Sequence, residues 1–340
     1  MAKGSEMPEN FFVLGRFAQA GAPFVGLVVG DRVLPLVEAA QRVSGLPIVS
    51  AVDGLLRNWN RNFALLCAVV EGIDAATPML KLDGLRVLAP LVTAPRVLNA
   101  AANYRDHVAG MQKNFTNNLP KVNAATKTPT LEPYLFAKVS PLSGPHDDII
   151  LPPGMERIDW EAELAVVIGL GGRNISKDKV AEHIAGYMVG NDVSCRDRTW
   201  REDRPAIRSD WLTGKSYESF SPIGPYFVPK AFVPDHANLK IQLWVNGELK
   251  QDGNSGAMIF SIEDQIAFAS EMLELLPGDV FHTGTPAGTG QERGEFLKVG
   301  DVVETEIEFC GRQRNTVVAG YTDYAPPPDE YGPRAILDSL

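Results

Sequence analysis

The stretch IDWEAELAVVIG, residues 158–169, decides the fold class and raises the first question about function. Its second half is short, rich in β-branched residues and followed by glycines, which predicts a strand buried on at least one face. Side chains alternate along a strand, so Glu161 and Glu163 point to the same side of the sheet, roughly 7 Å apart. Two carboxylates this close raise each other's pKa unless a cation or strong donors lie between them. A site for a hard divalent cation is therefore one interpretation, and a solvated strand face with two ordinary acids is the other.

The composition around this stretch is that of an ordinary globular protein. A chain of 340 residues with 45% hydrophobic and 22% charged residues can bury a full core, in one large domain or a large domain with a smaller companion. A net charge of -10 without a basic cluster argues against a nucleic-acid partner. The three cysteines have no CxxC spacing, which argues against a disulfide framework or a zinc site. Without a membrane-length apolar run or a signal peptide, we expect a cytoplasmic protein with no membrane partner.

Strand-like segments dominate the chain and predict a β-rich α+β fold. Residues 11–36 contain three short apolar runs separated by turn formers, which indicates a small β meander. Residues 49–71 have apolar residues at helical spacing. A second helix should begin after Ser261, where an acid follows the hydroxyl, and should end at Pro277 and Gly278.

The prolines of residues 85–104 favour a domain boundary near residue 90. The polar stretch 111–133 has little periodicity, and we expect either a lid over a site or a surface insertion used for dimer contacts. The predicted organisation is a small N-terminal α+β domain over residues 1–90, a catalytic domain over 91–325 and a C-terminal tail over 326–340.

The stretch GYMVGNDVSCRDRTW, residues 186–200, supplies a possible third carboxylate. Asp192 follows a predicted strand, so its side chain can reach a pocket while the backbone stays fixed. In the same turn, Arg196 can clamp a carboxylate and Asp197 can accept a hydrogen bond. The alternative is that Asp192 caps the turn and that Arg196 pairs with Asp197 at the surface.

The stretch GDVFHTGTPAGTG, residues 278–290, is a strand followed by a glycine-rich turn. Its backbone N–H groups, with the hydroxyls of Thr283 and Thr285, suit a carboxylate better than a nucleotide, because neither nucleotide-binding motif is present. Lys138 and Lys215 lie beside predicted strands, where a cation can hold an anionic substrate or its enolate.

His107 in NYRDHVAGM is the best candidate for a general base, since imidazole titrates near neutral pH. A single histidine in such a stretch is often a structural or surface residue, and only the residues that accompany it favour the catalytic interpretation.

Six blocks in a fixed order now identify a resemblance: NYRDH, DWEAELAVVIG, GYMVGNDVSCRD, KSYESFSPIGPY, GDVFHTGTPAGTG and LKVGDVVETEIEFCG. Together they resemble the fumarylacetoacetate hydrolase family over about residues 95–322. The resemblance implies a roll of mixed β-sheets with a smaller N-terminal domain, usually as a homodimer. It also implies a Mg²⁺ site, or a Mn²⁺ or Ca²⁺ site, built from Glu161, Glu163 and Asp192. A small 2-oxo carboxylate would be the substrate.

The resemblance further implies a metal-dependent hydrolase that cleaves a carbon–carbon bond in an acylpyruvate or fumarylpyruvate-like 2,4-dioxo acid, within aromatic-compound catabolism. His107 would activate water, Lys138 and Lys215 would neutralise oxyanions, and Arg196 would orient the substrate. The residues expected to contact the substrate are Tyr104, Gly284 and Thr285.

One position departs from the family pattern. Many relatives have HxxE after the NY motif, with the glutamate polarising the histidine, whereas this chain has Gly110 there. Loss of such an orienting acid can cost several orders of magnitude in rate. Another carboxylate can replace it, with Asp106, Glu132 and Glu292 as candidates. Otherwise the chain is an isomerase, hydratase or decarboxylase of a related 2-oxo acid, or a silent homologue that only binds metal and carboxylate.

Overall fold

A computed structural model of the chain describes residues 10–19, 22–114, 132–201, 203–204 and 206–320. The described residues form twenty strands in five sheets. The strands are β1 (Val13–Gln19), β2 (Ala22–Val29), β3 (Arg32–Pro35), β4 (Leu80–Lys81), β5 (Arg86–Leu88), β6 (Val97–Ala100), β7 (Leu135–Lys138), β8 (Leu142–Ser143), β9 (Ile149–Leu151), β10 (Ile158–Asp159), β11 (Ala162–Ile168), β12 (Ile184–Asn191), β13 (Ser194–Cys195), β14 (Ser221–Pro222), β15 (Val228–Pro229), β16 (Lys240–Val245), β17 (Glu248–Asn254), β18 (Val280–His282), β19 (Val302–Ile307) and β20 (Gly311–Ala319).

Nine α-helices and four short 3-10 helices connect these strands within the same residues. The α-helices are α1 (Leu36–Arg42), α2 (Asp53–Leu56), α3 (Trp59–Glu71), α4 (Arg105–Asn114), α5 (Val180–His183), α6 (Arg196–Thr199), α7 (Trp211–Lys215), α8 (Ile262–Met272) and α9 (Gly290–Arg293). The 3-10 helices span Lys177–Lys179, Lys230–Phe232, His236–Asn238 and Ser255–Ala257. None of the helices described is long and apolar enough to cross a membrane.

The N-terminal sheet has the strand order β4-β3-β2-β1-β5, and its first three strands are the meander predicted for residues 11–36. Two helices, α2 and α3, occupy the predicted helical region 49–71. Trp59 of α3 packs edge-on against Phe227 at 5.1 Å, and the backbone of Phe227 pairs with Leu14 of β1. The hydrophobic core therefore runs without a break from this sheet into the rest of the chain, and the domain boundary at residue 90 stays a prediction.

The central sheet has the order β15-β12-β11-β18-β6-β7 and contains the stretch quoted first. Every residue of β11 is buried, and this strand runs antiparallel to both β12 and β18. The register places Ala162 opposite Asn191, and the N–H of Asp192 donates to the carbonyl of Glu161 at 2.9 Å. Strand pairing thus brings the start of β11 and the end of β12, with their acids, to one edge of the hairpin.

A second five-stranded sheet, β17-β16-β19-β20-β9, contacts the central sheet through β11 and β12. Most pairs are antiparallel, but β6 pairs with β18, β9 with β20 and β8 with β14 in parallel, so the six-stranded sheet and the second five-stranded sheet are mixed. The predicted β-rich α+β fold of mixed sheets is confirmed.

Helix α8 begins after Ser261, as predicted, with a capping box between Ser261 and Asp264. It ends at Met272, five residues before the predicted end at Pro277. Leu273 is extended, and the backbone of Leu275 pairs in both directions with Gly172, so a buried contact ends the helix before the proline does. Residues 115–131 of the predicted lid and the tail 326–340 lie outside the described residues.

Candidate active site

Three buried carboxylates form an acidic cluster at the edge of the β11–β12 hairpin. Oxygen atoms of Glu161, Glu163 and Asp192 all lie within 4.8 Å of one another, close enough for one cation to contact each residue. Hard divalent cations prefer oxygen ligands of this kind. The donor set and its burial therefore fit the divalent cation that the sequence predicts, and a solvated strand face is wrong because all three acids are buried.

Glu163 and Asp192 have different electrostatic surroundings within this cluster. Burial, followed by repulsion from Asp192 and Glu161, raises the pKa of Glu163 well above its usual range. Its Oε2 accepts a hydrogen bond from the N–H of Gly284 at 2.7 Å. Burial also opposes ionisation of Asp192, but the nearby Lys138 and Lys215 outweigh it and lower the pKa of that carboxyl. An added cation would therefore stabilise the ionised form of Glu163 more than that of Asp192.

Lys138 is fully buried and fixes the position of Asp192. Its Nζ donates to Asp192 Oδ1 at 2.5 Å and to the carbonyl oxygens of Val193 at 3.1 Å and Phe220 at 2.5 Å. An ammonium has three donors, and these bonds use all of them. Lys138 therefore holds a carboxylate in place, and the sequence-based role in binding a substrate oxyanion stays an untested prediction.

Lys215 and Arg196 lie beside the acidic cluster. Lys215 Nζ donates to Glu161 Oε2 at 2.5 Å and to Asp192 Oδ2 at 2.7 Å. Arg196 Nε donates to Asp159 Oδ2 at 2.8 Å, and its Nη2 donates to Glu161. The surface pairing of Arg196 with Asp197 does not occur, because Asp197 instead accepts the backbone N–H groups of residues 156 and 157.

His107 is paired with Glu292, one of the three acids that sequence analysis could not rank. The Nδ1 of His107 lies within hydrogen-bonding distance of Glu292 Oε1, and the N–H of Gly288 donates to Glu292 Oε2 at 2.7 Å. The pair is nearly buried, with side-chain exposures of 7% and 9%. The acid missing after His107 in sequence is therefore supplied by α9, 185 residues further along the chain.

Gly110 makes room for this replacement. It lies one turn after His107 on α4, and a Cβ placed there would be 3.0 Å from both Cδ and Oε2 of Glu292. A glutamate at position 110 would compete for the same space. The glycine at position 110 is thus what allows Glu292 to reach His107.

A cavity of about 200 Å³ joins the acidic cluster to the histidine pair. It has a polar wall and an apolar wall. The polar wall comprises His107, Glu161, Glu163, Arg196, Lys215 and Thr285. The apolar wall comprises Ala100, Ala101, Ala102, Tyr134, Phe136 and Trp211. A histidine, carboxylates and two cations therefore line one cavity, a combination that proton transfer on a small carboxylate would need.

Two of the three predicted substrate contacts have other partners in this structure, and the third lies outside the cavity wall. Thr285 lines the cavity, but its hydroxyl donates to the carbonyl of Ala162 at 2.9 Å and accepts from Gln251 at 2.8 Å. Gly284 has φ +96° and uses its N–H on Glu163. Tyr104 is fully buried and is not part of the cavity wall. Contacts of these residues with substrate stay predictions.

Two buried residues near the site were not predicted. Asp159 accepts hydrogen bonds from Arg196 and from the N–H groups of Gly290 at 2.5 Å and Gln291 at 3.0 Å, so it ties the acidic cluster to the helix that carries Glu292. Its place two residues before Glu161 is a signal that could have been used. His282 faces Gly190, where a Cβ would approach its ring to 2.4 Å, and burial lowers the pKa of this histidine to about 4.

Comparison with known sequences supports the resemblance seen in the motifs. The family model described as fumarylacetoacetate (FAA) hydrolase C-terminal matches residues 96–318. A Homo sapiens protein named as a mitochondrial oxaloacetate tautomerase is 40% identical over 258 residues, which are 75% of this chain and 76% of that protein. The 2,4-didehydro-3-deoxy-L-rhamnonate hydrolase of Sphingomonas sp. (strain SKA58) is 37% identical over 82% of this chain and 93% of its own length.

Solved structures show the same fold. The fumarylacetoacetate hydrolase of Exiguobacterium antarcticum has a TM-score of 0.71 at 28% identity, with 91% of this chain and 99% of that chain covered. Maleylpyruvate hydrolase of Sphingobium sp. SYK-6, in complex with manganese(II) and pyruvate, has a TM-score of 0.68 at 25% identity, with 91% and 100% covered.

Proposed function

The chain belongs to the fumarylacetoacetate hydrolase family, and on this premise we propose that it hydrolyses a carbon–carbon bond in an acylpyruvate or fumarylpyruvate-like 2,4-dioxo acid. The reaction depends on a divalent cation, and the enzyme works as a cytoplasmic homodimer in the breakdown of aromatic compounds. The single observation that carries the hydrolytic assignment is the pairing of His107 with Glu292 on the wall of the cavity that contains the acidic cluster.

Glu161, Glu163 and Asp192 would hold Mg²⁺ or Mn²⁺. When bound, such a cation supplies Lewis-acid stabilisation of the negative charge on a substrate's keto-enolate oxygens. Lys138 keeps Asp192 in position, and the N–H of Gly284 keeps Glu163 in position. Lys215 and Arg196 add positive charge beside Glu161, where a substrate carboxylate enters.

His107 carries out the proton transfer. Glu292 fixes the imidazole through Nδ1, which leaves Nε2 to accept a proton from water. As the water oxygen bonds to the distal carbonyl carbon, His107 takes its proton, and collapse of the adduct then breaks the bond to C3. The electron pair leaves on C3 as the enolate of pyruvate, and the imidazolium returns its proton to that carbon. The products are pyruvate and a carboxylic acid.

The test follows the diketo-enol absorbance of acetylpyruvate and fumarylpyruvate with Mg²⁺ or Mn²⁺, together with product analysis. The wild type should form pyruvate, and both Glu161→Gln and His107→Ala should abolish this activity. His107→Ala should still bind Mn²⁺ with wild-type affinity, because the histidine is not part of the acidic cluster. Formation of no pyruvate from either substrate by the metal-loaded wild type would refute the hydrolytic assignment.

Tautomerisation of a 2-oxo acid is the second candidate, favoured by the 40% identity to proteins named oxaloacetate tautomerase. Enol–keto exchange needs a base and charge stabilisation but no attacking water, so the same residues suffice. Interconversion of oxaloacetate tautomers without any new carboxylate product would establish it. Absence of turnover on all these compounds, with Mn²⁺ binding intact, would leave the silent metal and carboxylate binder.

A further inference from the structure

The acidic cluster would bind the 2-oxo acid end of the substrate, and the apolar wall of the cavity would bind the acyl group at the other end. We infer that the acyl group is uncharged, flat and unsaturated or aromatic, and that it lies against Tyr134, Phe136 and Trp211. This inference rests on the proposed function, because it describes the distal group of the acylpyruvate that the same site would cleave. The acylpyruvates of the proposed function include compounds with neutral and with anionic acyl groups, and this inference selects the neutral ones.

The three aromatic side chains already form an ordered surface. Phe136 and Trp211 stack with ring centroids 4.7 Å apart and an interplanar angle of 19°, and Tyr134 meets Trp211 edge-on at 6.0 Å. The indole N–H of Trp211 donates to the hydroxyl of Tyr134 at 2.8 Å. Because this bond and the ring contacts already hold the three side chains in place, they can bind a flat group without much further ordering.

The cations of the cavity wall are committed to the chain's own carboxylates. Arg196 pairs with Asp159 and Glu161, and Lys215 pairs with Glu161 and Asp192. Lys215 Nζ also lies 5.6 Å from the centroid of the Phe136 ring, but its hydrogen bonds go to Glu161 and Asp192. Both cations are therefore already paired at the acidic cluster, where the 2-oxo carboxylate would bind.

A second carboxylate at the far end of the substrate would face the aromatic rings. Burial of an ionised carboxylate without a partner is strongly unfavourable, whereas a flat apolar group gains both burial and ring stacking. An aromatic acyl group should accordingly bind better than a fumaryl group of similar length, by at least about tenfold, which corresponds to one favourable ring contact.

The experiment compares three acylpyruvates on the metal-loaded wild type: benzoylpyruvate, acetylpyruvate and fumarylpyruvate. We expect kcat/KM for benzoylpyruvate to exceed that for fumarylpyruvate at least about tenfold. Trp211→Leu should raise KM for benzoylpyruvate about tenfold and change acetylpyruvate less than about threefold, since acetyl does not reach the wall. Phe136→Leu repeats the test in case the first variant folds poorly. Trp244→Leu, a half-buried tryptophan on β16, is the matched control.

Equal or better turnover of fumarylpyruvate would overturn the inference, and so would a Trp211→Leu variant that loses the same factor on benzoylpyruvate and acetylpyruvate. Calorimetric titration of His107→Ala with benzoylpyruvate and fumarylpyruvate in the presence of Mn²⁺ separates this result from failure of the proposed function. If no acylpyruvate is cleaved, the hydrolytic assignment fails. Tighter binding of benzoylpyruvate would still support the inference, and tighter binding of fumarylpyruvate would refute it.

Discussion

The acidic cluster and the His107–Glu292 pair, called here the acidic side and the basic side of the cavity, are built in different ways. The acidic side lies on neighbouring strands β11 and β12 of a six-stranded sheet, and buried lysines hold its carboxylates. The basic side joins His107 on α4 to Glu292 on α9, a helix of four residues, through one contact between side chains.

This difference shows which part of the site can change without loss of the other. Strand register fixes the acids relative to one another, so no other segment can take the place of Glu163 or Asp192. The basic side needs only a carboxylate near the imidazole, and a residue distant in sequence can provide it. In this chain Glu292 provides it, and Gly110 leaves the space that the glutamate occupies.

The strongest test of the acidic side is Glu163→Gln. We expect kcat/KM to fall by at least about a thousandfold, because a cation supplies several kcal/mol of charge stabilisation. The metal-free variant should be at least as stable as wild type, since burial and repulsion raise the pKa of Glu163 and an amide removes that charge. Mn²⁺ titration and thermal unfolding measure both, with the exposed Glu71→Gln as the control. Wild-type Mn²⁺ affinity in Glu163→Gln would contradict the assignment.

Lys138→Met tests whether buried ion pairs stiffen the acidic side. Removal of this fully buried cation leaves Asp192 with one fewer partner and two carbonyl oxygens without a donor. The free energy of unfolding should fall by about 3 kcal/mol. Lys177→Met, which removes a lysine that is 66% exposed in its pair with Asp264, should cost less than about 1 kcal/mol. Chemical denaturation compares the two, and equal losses would mean that Lys138 has no special role.

Moving the glutamate from position 292 to position 110 tests whether His107 can be oriented by a carboxylate from either position. Glu292→Gln should lower kcat about a hundredfold while Mn²⁺ affinity stays unchanged, because only the orientation of His107 is lost. Gly110→Glu alone should also be impaired, since its side chain meets Glu292. The double variant Gly110→Glu with Glu292→Gly should recover at least about tenfold over Glu292→Gln. A double variant no better than either single variant would mean that the two positions are not interchangeable.

The smallest expected effect is on stability and concerns a second histidine–glutamate pair, which serves as a reference for His107 and Glu292. His236 Nε2 lies 2.8 Å from Glu263 Oε1, at side-chain exposures of 27% and 28%. The hydrogen bond from His236 lowers the pKa of Glu263 to about 2. A depressed carboxyl pKa adds stability that is present above the ordinary value of about 4.5 and is lost as pH falls towards 2. Glu263→Gln should therefore cost less than about 1 kcal/mol at pH 7, with no cost remaining below pH 2, and should leave kcat unchanged. Denaturation at several pH values measures this.

Local patterns predicted the acidic side well. The alternation of β11 and the place of Asp192 after β12 follow from short-range periodicity, and strand pairing converts them into one cluster. The capping box at Ser261 is equally local and was also predicted. The end of α8 was predicted incorrectly, because the pairing of Leu275 with Gly172 joins segments about a hundred residues apart.

The acid that pairs with His107 also depends on a contact between segments that are distant in sequence. Sequence analysis could state that an acid was missing at Gly110 and could name Glu292 among three candidates. It could not choose, because the choice depends on the packing of α9 against α4. The aromatic wall escaped prediction for a similar reason, since Tyr134 and Phe136 meet Trp211 only through tertiary contact.

The order of strands in the central sheet also determines when the protein can be completed during synthesis. β18 lies between β11 and β6, so the sheet stays divided until residues 280–282 have left the ribosome, and Glu292 follows later still. At about 5–20 residues per second, the chain between β11 and β18 takes roughly six to twenty seconds to synthesise. During that interval the side of β11 that β18 will occupy has no strand beside it and is open to non-native pairing.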